Sequence, residues 1–467
     1  MAARFGINQI AKSIRSTFIA LFLIIALFGN YVVFIVNYGV NTVFNDSWDI
    51  VPELNFVNNP ISGFLGLFSV HYENIMPIPR VINSIFIWQL SFNQKYIMYL
   101  SCAILTLSLV AIYRFLLSTN KTNTNLWQMV PIAMLIFDLS QWQNTIWAFQ
   151  MAWYLDYTLV IIALCLLIMS ISHSKYLFLA SWIVGVLASL SAFTGFLYWP
   201  IAIIIVLVSR MPKKRLIVSI LSTVVAATGY WVWTSVDKFE ELGVSNSHVS
   251  ASLLSFSVHH IFNAIGFLLV LSGNVALGNS YTSVNVLVYI VGAVLFMAEL
   301  GLLFSSTRYL IHNWDNTPQQ KIILLGISLI LVTVLSQLTA SFARSELGTN
   351  FALTSRYTLF GLEGLIGSYL IVLANFQKST LPGRRLKVSL SVVVGLIMVI
   401  YALSIYPANT QGSEFAGARM EGQTIVQNSS TSIASASPAT LTYVCLFCSP
   451  TYVNSIEKRL VKRGITP

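Results

Sequence analysis

Long apolar runs separated by short polar breaks fill most of the chain. The first run, Thr17 to Val36, carries no charge and is about 20 residues long, enough for a helix to cross a bilayer. Sorting the later runs in the same way predicts spans near residues 17–36, 96–117, 126–140, 155–172, 176–192, 196–210, 214–234, 284–305, 322–340, 356–376 and 388–406. The pattern therefore predicts an all-α polytopic membrane protein with about 11 transmembrane helices.

One further apolar segment, residues 256–279, is predicted to be re-entrant or to lie against the membrane. Counting it as a span would invert every later loop, so that Arg344 and Arg356 would face the cytoplasm. The basic cluster at 384–387 would then face outward, although Lys and Arg are enriched in cytoplasmic loops. The polar side chain of Asn263 also makes this segment a weaker span than its neighbours.

The composition agrees with this pattern and excludes several classes of protein. Of 467 residues, 56% are hydrophobic and only 9% are charged, whereas about a quarter are charged in soluble proteins. These values exclude a soluble globular enzyme, a disordered chain and a nucleic-acid-binding module. The formal net charge of +10 comes mainly from basic clusters between apolar runs, such as residues 211–215 and 383–387. We therefore expect the lipid bilayer, and no nucleic acid, as a partner.

Charge also orients the chain in the membrane. Arg4, Lys12 and Arg15 precede the first apolar run, and no small-residue cleavage site follows it. We therefore expect an uncleaved first span with a cytoplasmic N-terminus.

The same order of loops predicts two domains. Residues 1–406 form the predicted transmembrane domain, which includes a long first outer loop at 37–95. Residues 407–467 are polar and form a predicted small extracytoplasmic domain. This tail contains Cys445 and Cys448 as a CxxC pair, for which a disulfide is permitted outside the cytoplasm. Whether that disulfide forms stays open.

The first outer loop has the densest group of polar residues. Asp46 and Asp49 are three positions apart, so they share one face if this segment is helical. Two neighbouring carboxylates raise the pKa of one of them, which makes a base, or hold a divalent cation. The alternative for each aspartate is a helix N-cap or a solvated acid. No cofactor is assigned, and a divalent cation stays open.

His71, Glu73 and Arg80 follow in the same loop and are candidate pocket residues. The arginine comes after two prolines that restrict the local backbone. A lone histidine in an outer loop is more often a hydrogen-bonded surface residue, and this alternative stays open. The spacing of these side chains is too open for a zinc site, so no metal ligands are assigned.

A second outer segment combines amides with flat rings. Gln143, Trp147, Gln150 and Tyr154 fall at i, i+4, i+7 and i+11, which predicts one stripe of a helix. Rings stack on the apolar face of a sugar while amides bond its hydroxyls, so the stripe indicates sugar binding. The alternative is an interfacial belt of aromatic residues with amides at the lipid headgroups.

A third outer segment contains Arg344, Arg356 and Tyr357. Arginine at a membrane edge is unfavourable unless it is paired or reaches the headgroups. Its planar guanidinium binds phosphate through two parallel hydrogen bonds, which suits a lipid-linked phosphate at that depth. An ordinary headgroup anchor is the alternative. Glu299 and Glu363 lie within spans, where they pair with each other or line a cavity.

Together these segments resemble the GT-C superfamily of polyprenyl-phosphate-sugar-dependent glycosyltransferases, in particular the bacterial O-antigen glucosyltransferase-like membrane proteins. The resemblance covers the layout of residues 40–360. The matching features are Asp46-x-x-Asp49, His71-x-Glu73 ahead of Pro77-x-x-Arg80, Trp147-x-x-Gln150, and Arg344 followed by Gly348 and Ser355-Arg356-Tyr357. This chain has Asn74 where a histidine would be expected after the His-x-Glu element.

The resemblance implies a GT-C-like fold and an inverting sugar transfer. It also implies that the active site lies on the extracytoplasmic side of the plasma membrane, which is the inner membrane of a bacterium. The donor would be a polyprenyl-phosphate-linked sugar, with glucose as one candidate, and the acceptor a glycan or glycolipid of the cell envelope such as O-antigen. The implied catalytic residues are Asp46, Asp49 and Glu73. The implied donor-phosphate residues are Arg80, Arg344 and Arg356, and the implied substrate-binding residues are His71, Trp147, Gln150 and Tyr357.

Two other functions remain open on the residues alone. A transporter or flippase of lipid-linked oligosaccharides places ionisable groups near mid-membrane, where this chain has only Glu299 and Glu363. An O-antigen polymerase or ligase is also a multi-span protein with outer arginines. The polar groups at the outer edge favour the glycosyltransferase over the transporter, and the acid-rich first loop favours it over the polymerase or ligase.

Overall fold

The computed structural model describes residues 2–48, 60–71, 74–120, 124–172, 174–236, 258–378 and 383–428. The longer helices in these ranges are α1 Ala2–Tyr38, α4 Gln94–Thr119, α7 Met151–Met169, α10 Lys213–Val236, α11 Val258–Ala276, α12 Val286–His312, α13 Pro318–Arg344, α14 Thr358–Lys378 and α15 Arg384–Asn428. The shorter helices are α2 Pro60–Gly66, α3 Pro77–Gln89, α5 Met129–Ile136, α6 Trp142–Ile146, α8 Lys175–Ser189 and α9 Tyr198–Val208. Strands β1 (Val70–His71) and β2 (Asn74–Ile75) pair antiparallel.

Eight helices in the described part of the chain are long and apolar enough to cross a membrane. They comprise Arg15–Tyr38, Gln94–Thr119, Ala148–Ser172, Lys213–Thr234, Val286–His312, Pro318–Leu347, Ser355–Lys378 and Arg384–Thr424. The chain is thus an all-α polytopic membrane protein, as the hydrophobic pattern predicts.

The other three predicted spans, near 126–140, 176–192 and 196–210, contain shorter helices. α5 has 8 residues, α8 has 15 and α9 has 11. At 1.5 Å per residue, α5 is about 12 Å long, against about 30 Å of hydrocarbon in a bilayer. It ends before Asp138, which is fully buried and accepts a hydrogen bond from the Ser140 N–H at 2.7 Å. Because this turn is buried, no charged surface loop marks it. In the sequence it therefore reads as part of one continuous apolar span.

The helices divide into a buried centre and a lipid-facing periphery. α7, α13 and α14 are mostly buried, and α13 and α14 share the most extensive helix–helix contact. α10, α12 and α15 expose most of their apolar residues, including Val225 and Trp231 on α10. Such faces suit lipid tails, which are as apolar as the side chains themselves.

Two glycines allow α13 and α14 to approach closely. A Cβ on Gly326 would lie 2.6 Å from the carbonyl oxygen of Gly367 and 2.7 Å from the side chain of Ile371. Small residues at such crossings let the backbones of transmembrane helices come together. Any larger residue at these two positions would force the central pair apart.

α11 lies along the connection between α13 and α14. Near its beginning, His260 Nδ1 is 3.7 Å from Glu346 Oε1. Near its end, the side-chain amide of Asn274 donates to the Leu353 carbonyl at 3.1 Å. Both partners belong to the short connection that follows α13. That residues 256–279 are re-entrant or lie against the membrane stays a prediction.

The last helix continues beyond the predicted domain boundary. α15 runs through Pro407, so residues 407–428 extend the last span, while 429–467, with both cysteines of the CxxC pair, lie outside the described residues. Pro407 lacks the N–H that would bond the carbonyl four residues earlier. Gly278, at φ +61°, packs against this backbone, where a Cβ would come within 2.7 Å of the Ser404 nitrogen.

The connections gather at two ends of the bundle. We call one the basic end; its described residues are 120, 124–128, 170–172, 209–215, 311–318 and 376–378. We call the other the aromatic end; its described residues are 39–48, 70–76, 138–150, 190–197, 277–285, 345–357 and 407–419. The candidate site residues lie at the aromatic end.

Candidate functional site

A pairing of an acid with a histidine stands at one side of the aromatic end. Residues 45–48 form a 3-10 turn that begins at Asn45, whose φ of +48° an asparagine tolerates, and that is anchored by the fully buried Trp48. Asp46 Oδ2 lies 3.9 Å from Nε2 of His71, the last residue of β1. This is an ion pair when the imidazole is protonated. The other two predicted catalytic residues, Asp49 and Glu73, lie outside the described residues.

A row of aromatic rings leads away from this pair. The ring of His71 is 5.2 Å from the ring of Phe149, centroid to centroid, and Phe149 is 6.0 Å from Trp147. Trp147 also packs edge-on against Phe44 at 5.4 Å. Offset and edge-on packing of this kind is favourable for aromatic rings and holds them in fixed orientations.

The row ends at Arg356, whose guanidinium is surrounded by rings. Its central carbon lies 5.9 Å from the Trp147 ring, 5.2 Å from Phe351 and 5.3 Å from Tyr357. Each such contact contributes about 0.5–2 kcal/mol of cation–π attraction. No carboxylate among the described residues pairs with this arginine. Arg356 is half-buried, so its charge is held at the aromatic end and remains able to meet an anion.

Residues 141–150 are fastened to the segment that carries Arg356. The Gln143 N–H donates to the Ser355 hydroxyl at 3.0 Å, and the Asn144 side-chain amide donates to the Arg356 carbonyl at 2.9 Å. These two bonds connect parts of the chain that are 212 residues apart. They fix Trp147 and Arg356 relative to one another.

Buried polar atoms without a protein partner are concentrated in residues 141–150. Within the described part of the chain, five such atoms are Gln141 Oε1, Gln143 Oε1, Asn144 Oδ1, Trp147 Nε1 and Gln150 Oε1. Buried polar groups are nearly always hydrogen-bonded in native proteins, to protein, water or ligand. Four acceptors and one donor so close together suit a ligand rich in hydroxyl groups.

The predicted helical stripe through Gln143, Trp147, Gln150 and Tyr154 is wrong. α6 ends at Ile146, Trp147 is extended, and a 3-10 turn at 148–150 precedes α7. The tertiary contacts of Trp147 with Phe44 and Arg356 replace the local helical preference. The hydroxyl of Tyr154 points to a different partner, the Tyr31 hydroxyl at 2.5 Å.

Of the three predicted phosphate-binding arginines, Arg80 donates to backbone carbonyls, and Arg344 lies at the same end of the bundle as Arg356. Arg80 is 3% exposed, and its Nη1 donates to the carbonyls of Gly66, Leu67 and Ser69, which close the end of α2. These bonds occupy one guanidinium nitrogen with backbone. Arg344 is half-buried at the C-terminal end of α13, at the same end of the bundle as Arg356.

Sequence reasoning missed Arg419, which joins the site to the last helix. It is 1% exposed, and it donates to the carbonyls of Ile146 at 2.7 Å and Thr42 at 2.9 Å. Its guanidinium also lies over the ring of Phe44 at 5.2 Å. Arg419 therefore holds together the segments before the Asp46 turn and before Trp147. The only signal in the sequence was a basic residue within the polar continuation of the final apolar run.

The described residues include no group of three or more His, Cys, Asp or Glu side chains arranged to hold a metal ion. The predicted divalent cation involved Asp49, which lies outside these residues, so it stays a prediction. Comparisons with known proteins found no matching family model, no matching curated protein and no matching solved structure.

Proposed function

We propose that this protein is a membrane glycosyltransferase that moves a sugar from a polyprenyl-phosphate donor to a glycan or glycolipid acceptor of the cell envelope, such as O-antigen. The reaction takes place at the aromatic end, on the extracytoplasmic side of a bacterial inner membrane. The proposal includes a GT-C-like arrangement with about 11 transmembrane segments. Three of these segments contain the short helices α5, α8 and α9.

One observation carries this proposal. A continuous row of contacts joins a carboxylate, Asp46, through His71 and the aromatic rings to a cation without a carboxylate partner, Arg356, among the described residues. Residues 141–150, which include Trp147 and Phe149 of this row, also carry buried amide oxygens that have no protein partner among the described residues. A base, a polar wall for hydroxyls and a cation for phosphate are the three parts that a sugar transfer from a lipid phosphate needs.

In the proposed reaction, Asp46 acts as the general base. Its carboxylate accepts the proton of the acceptor hydroxyl as the hydroxyl oxygen bonds to the anomeric carbon of the donor sugar. The bond between that carbon and the phosphate oxygen breaks, and its electron pair leaves with the lipid phosphate. Attack from the opposite face inverts the anomeric centre. His71, whose Nε2 lies 3.9 Å from Asp46 Oδ2, orients the Asp46 carboxylate.

Arg356 stabilises the departing phosphate. Negative charge grows on the leaving oxygen during the transfer, and a preorganised cation at this position lowers the energy of that transition state. The three rings around Arg356 exclude water and so strengthen its attraction for the phosphate. Trp147 and Gln150 contact the sugar, and Tyr357 lines the same wall.

Sugar transfer by the purified full chain in proteoliposomes tests the proposal. The donor is a radiolabelled polyprenyl-phosphate sugar, and the product is labelled lipid-linked glycan. Asp46→Asn is expected to lower kcat by about 10²–10⁴-fold, the usual contribution of a positioned base. The matched control is Asp315→Asn, which changes an exposed aspartate at the basic end. No transfer by the wild-type protein with any donor sugar, or full activity of Asp46→Asn, contradicts the proposal.

A transporter or flippase of lipid-linked oligosaccharides is the second candidate. The observation that favours it is that Asp156, Glu299 and Glu363 are all buried within candidate membrane spans, where ionisable groups often mark a transport pathway. The same proteoliposomes separate the two functions. Movement of labelled donor across the bilayer without formation of a new glycosidic bond indicates the transporter.

A further inference from the structure

Three helices and one turn enclose a narrow crevice just inside the aromatic end. Its polar lining consists of Asp156 on α7, Thr194 in the 3-10 turn before α9, Ser336 on α13 and Glu363 on α14. The remaining lining is apolar or aromatic. The crevice has room for about one water molecule.

The polar side chains of the crevice are deeply buried and offer oxygen atoms without protein partners. Asp156 is 1% exposed, Ser336 is 2% and Glu363 is 3%. Among the described residues, Asp156 Oδ1, Ser336 Oγ and Glu363 Oε1 have no hydrogen-bond partner. The second oxygen of Asp156 accepts a hydrogen bond from the Thr194 hydroxyl. Three residues that carry such oxygens, one from each of three helices, thus line one small space.

The charge of this space is unbalanced. Its lining includes two carboxyl groups and no Lys, Arg or His side chain. An uncompensated carboxylate in an apolar interior is strongly unfavourable, so buried acids in membrane spans normally pair with a positive charge or bind an ion. Asp156 and Glu363 have no such protein partner among the described residues.

We propose that this crevice binds one small monovalent cation, with Na⁺ as the ion that fits best. Carboxylate and hydroxyl oxygens are the ligands that hard cations prefer. A site for Ca²⁺ requires six to eight oxygen ligands, and Mg²⁺ keeps several of its waters, so neither fits a space of about one water molecule. The Thr194 hydroxyl stabilises the negative charge that remains on Asp156. The site is separate from Asp46 and Arg356 and does not depend on the proposed transferase activity.

Equilibrium binding of radiolabelled Na⁺ to the purified full chain in lipid nanodiscs tests this site. In choline chloride buffer, we expect saturable binding of about one ion per chain, because the crevice has room for about one water-sized particle. Unlabelled K⁺ and Mg²⁺ are expected to compete more weakly than unlabelled Na⁺. Glu363→Gln and Ser336→Ala are each expected to weaken Na⁺ binding by about tenfold or more, since each removes a ligand oxygen or its charge.

Glu299→Gln is the matched control. Glu299 is another buried acid, 2% exposed on α12, whose Oε1 lies against the Cα of Gly364 and which does not line the crevice. Its variant is expected to keep wild-type Na⁺ affinity. Equal loss in Glu299→Gln and Glu363→Gln, or stronger binding of Mg²⁺ than of Na⁺, overturns the proposal.

The wild-type protein alone also provides a test, in case the variants do not fold. Its Tm is expected to be higher in NaCl than in choline chloride of equal ionic strength, because an ion that binds only the folded state stabilises it. An unchanged Tm together with no saturable Na⁺ binding overturns the proposal and indicates that the two carboxyl groups are neutralised by protons.

Discussion

The two ends of the bundle differ in how their polar side chains are hydrogen-bonded. At the basic end, polar side chains find protein partners: Asn120 donates to Gln377 at 3.0 Å, and Lys378 to the Tyr309 hydroxyl at 2.8 Å. At the aromatic end, Gln150 and Trp147 are buried with polar atoms that have no protein partner in the described part of the chain. The hydrogen bonds named at the basic end join protein groups to one another, whereas the aromatic end has several buried polar atoms to offer a ligand.

The contrast extends to the arginines. Arg215 at the basic end donates to the Ser170 carbonyl at 2.8 Å. This bond anchors α10 to the 3-10 turn that follows α7. Arg356 at the aromatic end has three rings around its guanidinium and no acceptor for it among the described residues. A guanidinium that contacts only aromatic rings keeps its N–H groups available to bind an anion. Arg215 is therefore a structural residue, as Arg419 is at the aromatic end, whereas Arg356 is a candidate ligand-binding residue.

The largest expected effect comes from Arg356. Arg356→Gln is expected to lower kcat for sugar transfer by about 10²–10³-fold, because it removes a cation that stabilises charge in the transition state. Arg210→Gln is the matched change at the basic end, where the arginine is exposed and donates to the Ile311 carbonyl. Initial rates at saturating donor check both variants. Similar losses in the two would remove the distinction between the ends.

Arg419→Met is expected to destabilise the protein by about 2 kcal/mol. The carbonyls of Thr42 and Ile146 lose their donor, each at about 1–3 kcal/mol, and relief of a buried charge offsets part of this. The measurement is the Tm in detergent, with Arg215→Met as the half-buried counterpart at the basic end. A larger drop in Tm for Arg215→Met than for Arg419→Met would show that the two hydrogen bonds of Arg419 are not the main contacts that stabilise the aromatic end.

Trp147→Phe is expected to raise the KM for the donor by about fivefold with little change in kcat, since about 1 kcal/mol of hydrogen bonding from Nε1 is lost. An aromatic ring remains beside Arg356 in this variant, whereas the N–H donor is removed. Trp127→Phe is the control, because the Trp127 N–H already donates to the Ser16 hydroxyl at the other end. An unchanged KM in Trp147→Phe would exclude a role for this donor.

The smallest effect is expected at the basic end. Asn120→Ala removes one partly buried amide bond to Gln377 and is expected to lower stability by about 1 kcal/mol without changing kcat or KM. Thermal unfolding and steady-state kinetics on the same preparation check this. A loss of transfer activity here would mean that the chemistry involves the basic end.

The sequence predicted the fold class because apolar runs and charged breaks are local features. It did not show that α5 is only 8 residues long, since the turn at Asp138 is buried within the bundle and has no surface loop to mark it. It also placed Trp147 on a continuous helix, which contacts with Arg356 and Phe44 interrupt.

The candidate site also contains contacts that the sequence could not predict. His71 and Asp46 were nominated from neighbouring motifs, and the structure brings them together across the first loop. Arg419 was not nominated, because its partners Thr42 and Ile146 are 377 and 273 residues away in the chain. Arg80 was nominated for phosphate, but its bonds to the carbonyls after α2 depend on how the loop folds back. Long-range contacts of this kind leave no periodic signal.

The most direct test of the central claim is to locate the donor on the protein. A polyprenyl-phosphate sugar that carries a photoreactive group beside its phosphate is crosslinked to the wild-type chain in nanodiscs, and the modified peptides are identified by mass spectrometry. Crosslinks within residues 141–150 and 345–357, competed by unlabelled donor, are the predicted result. Crosslinks confined to the basic end, at residues 209–213 or 311–318, would contradict the account.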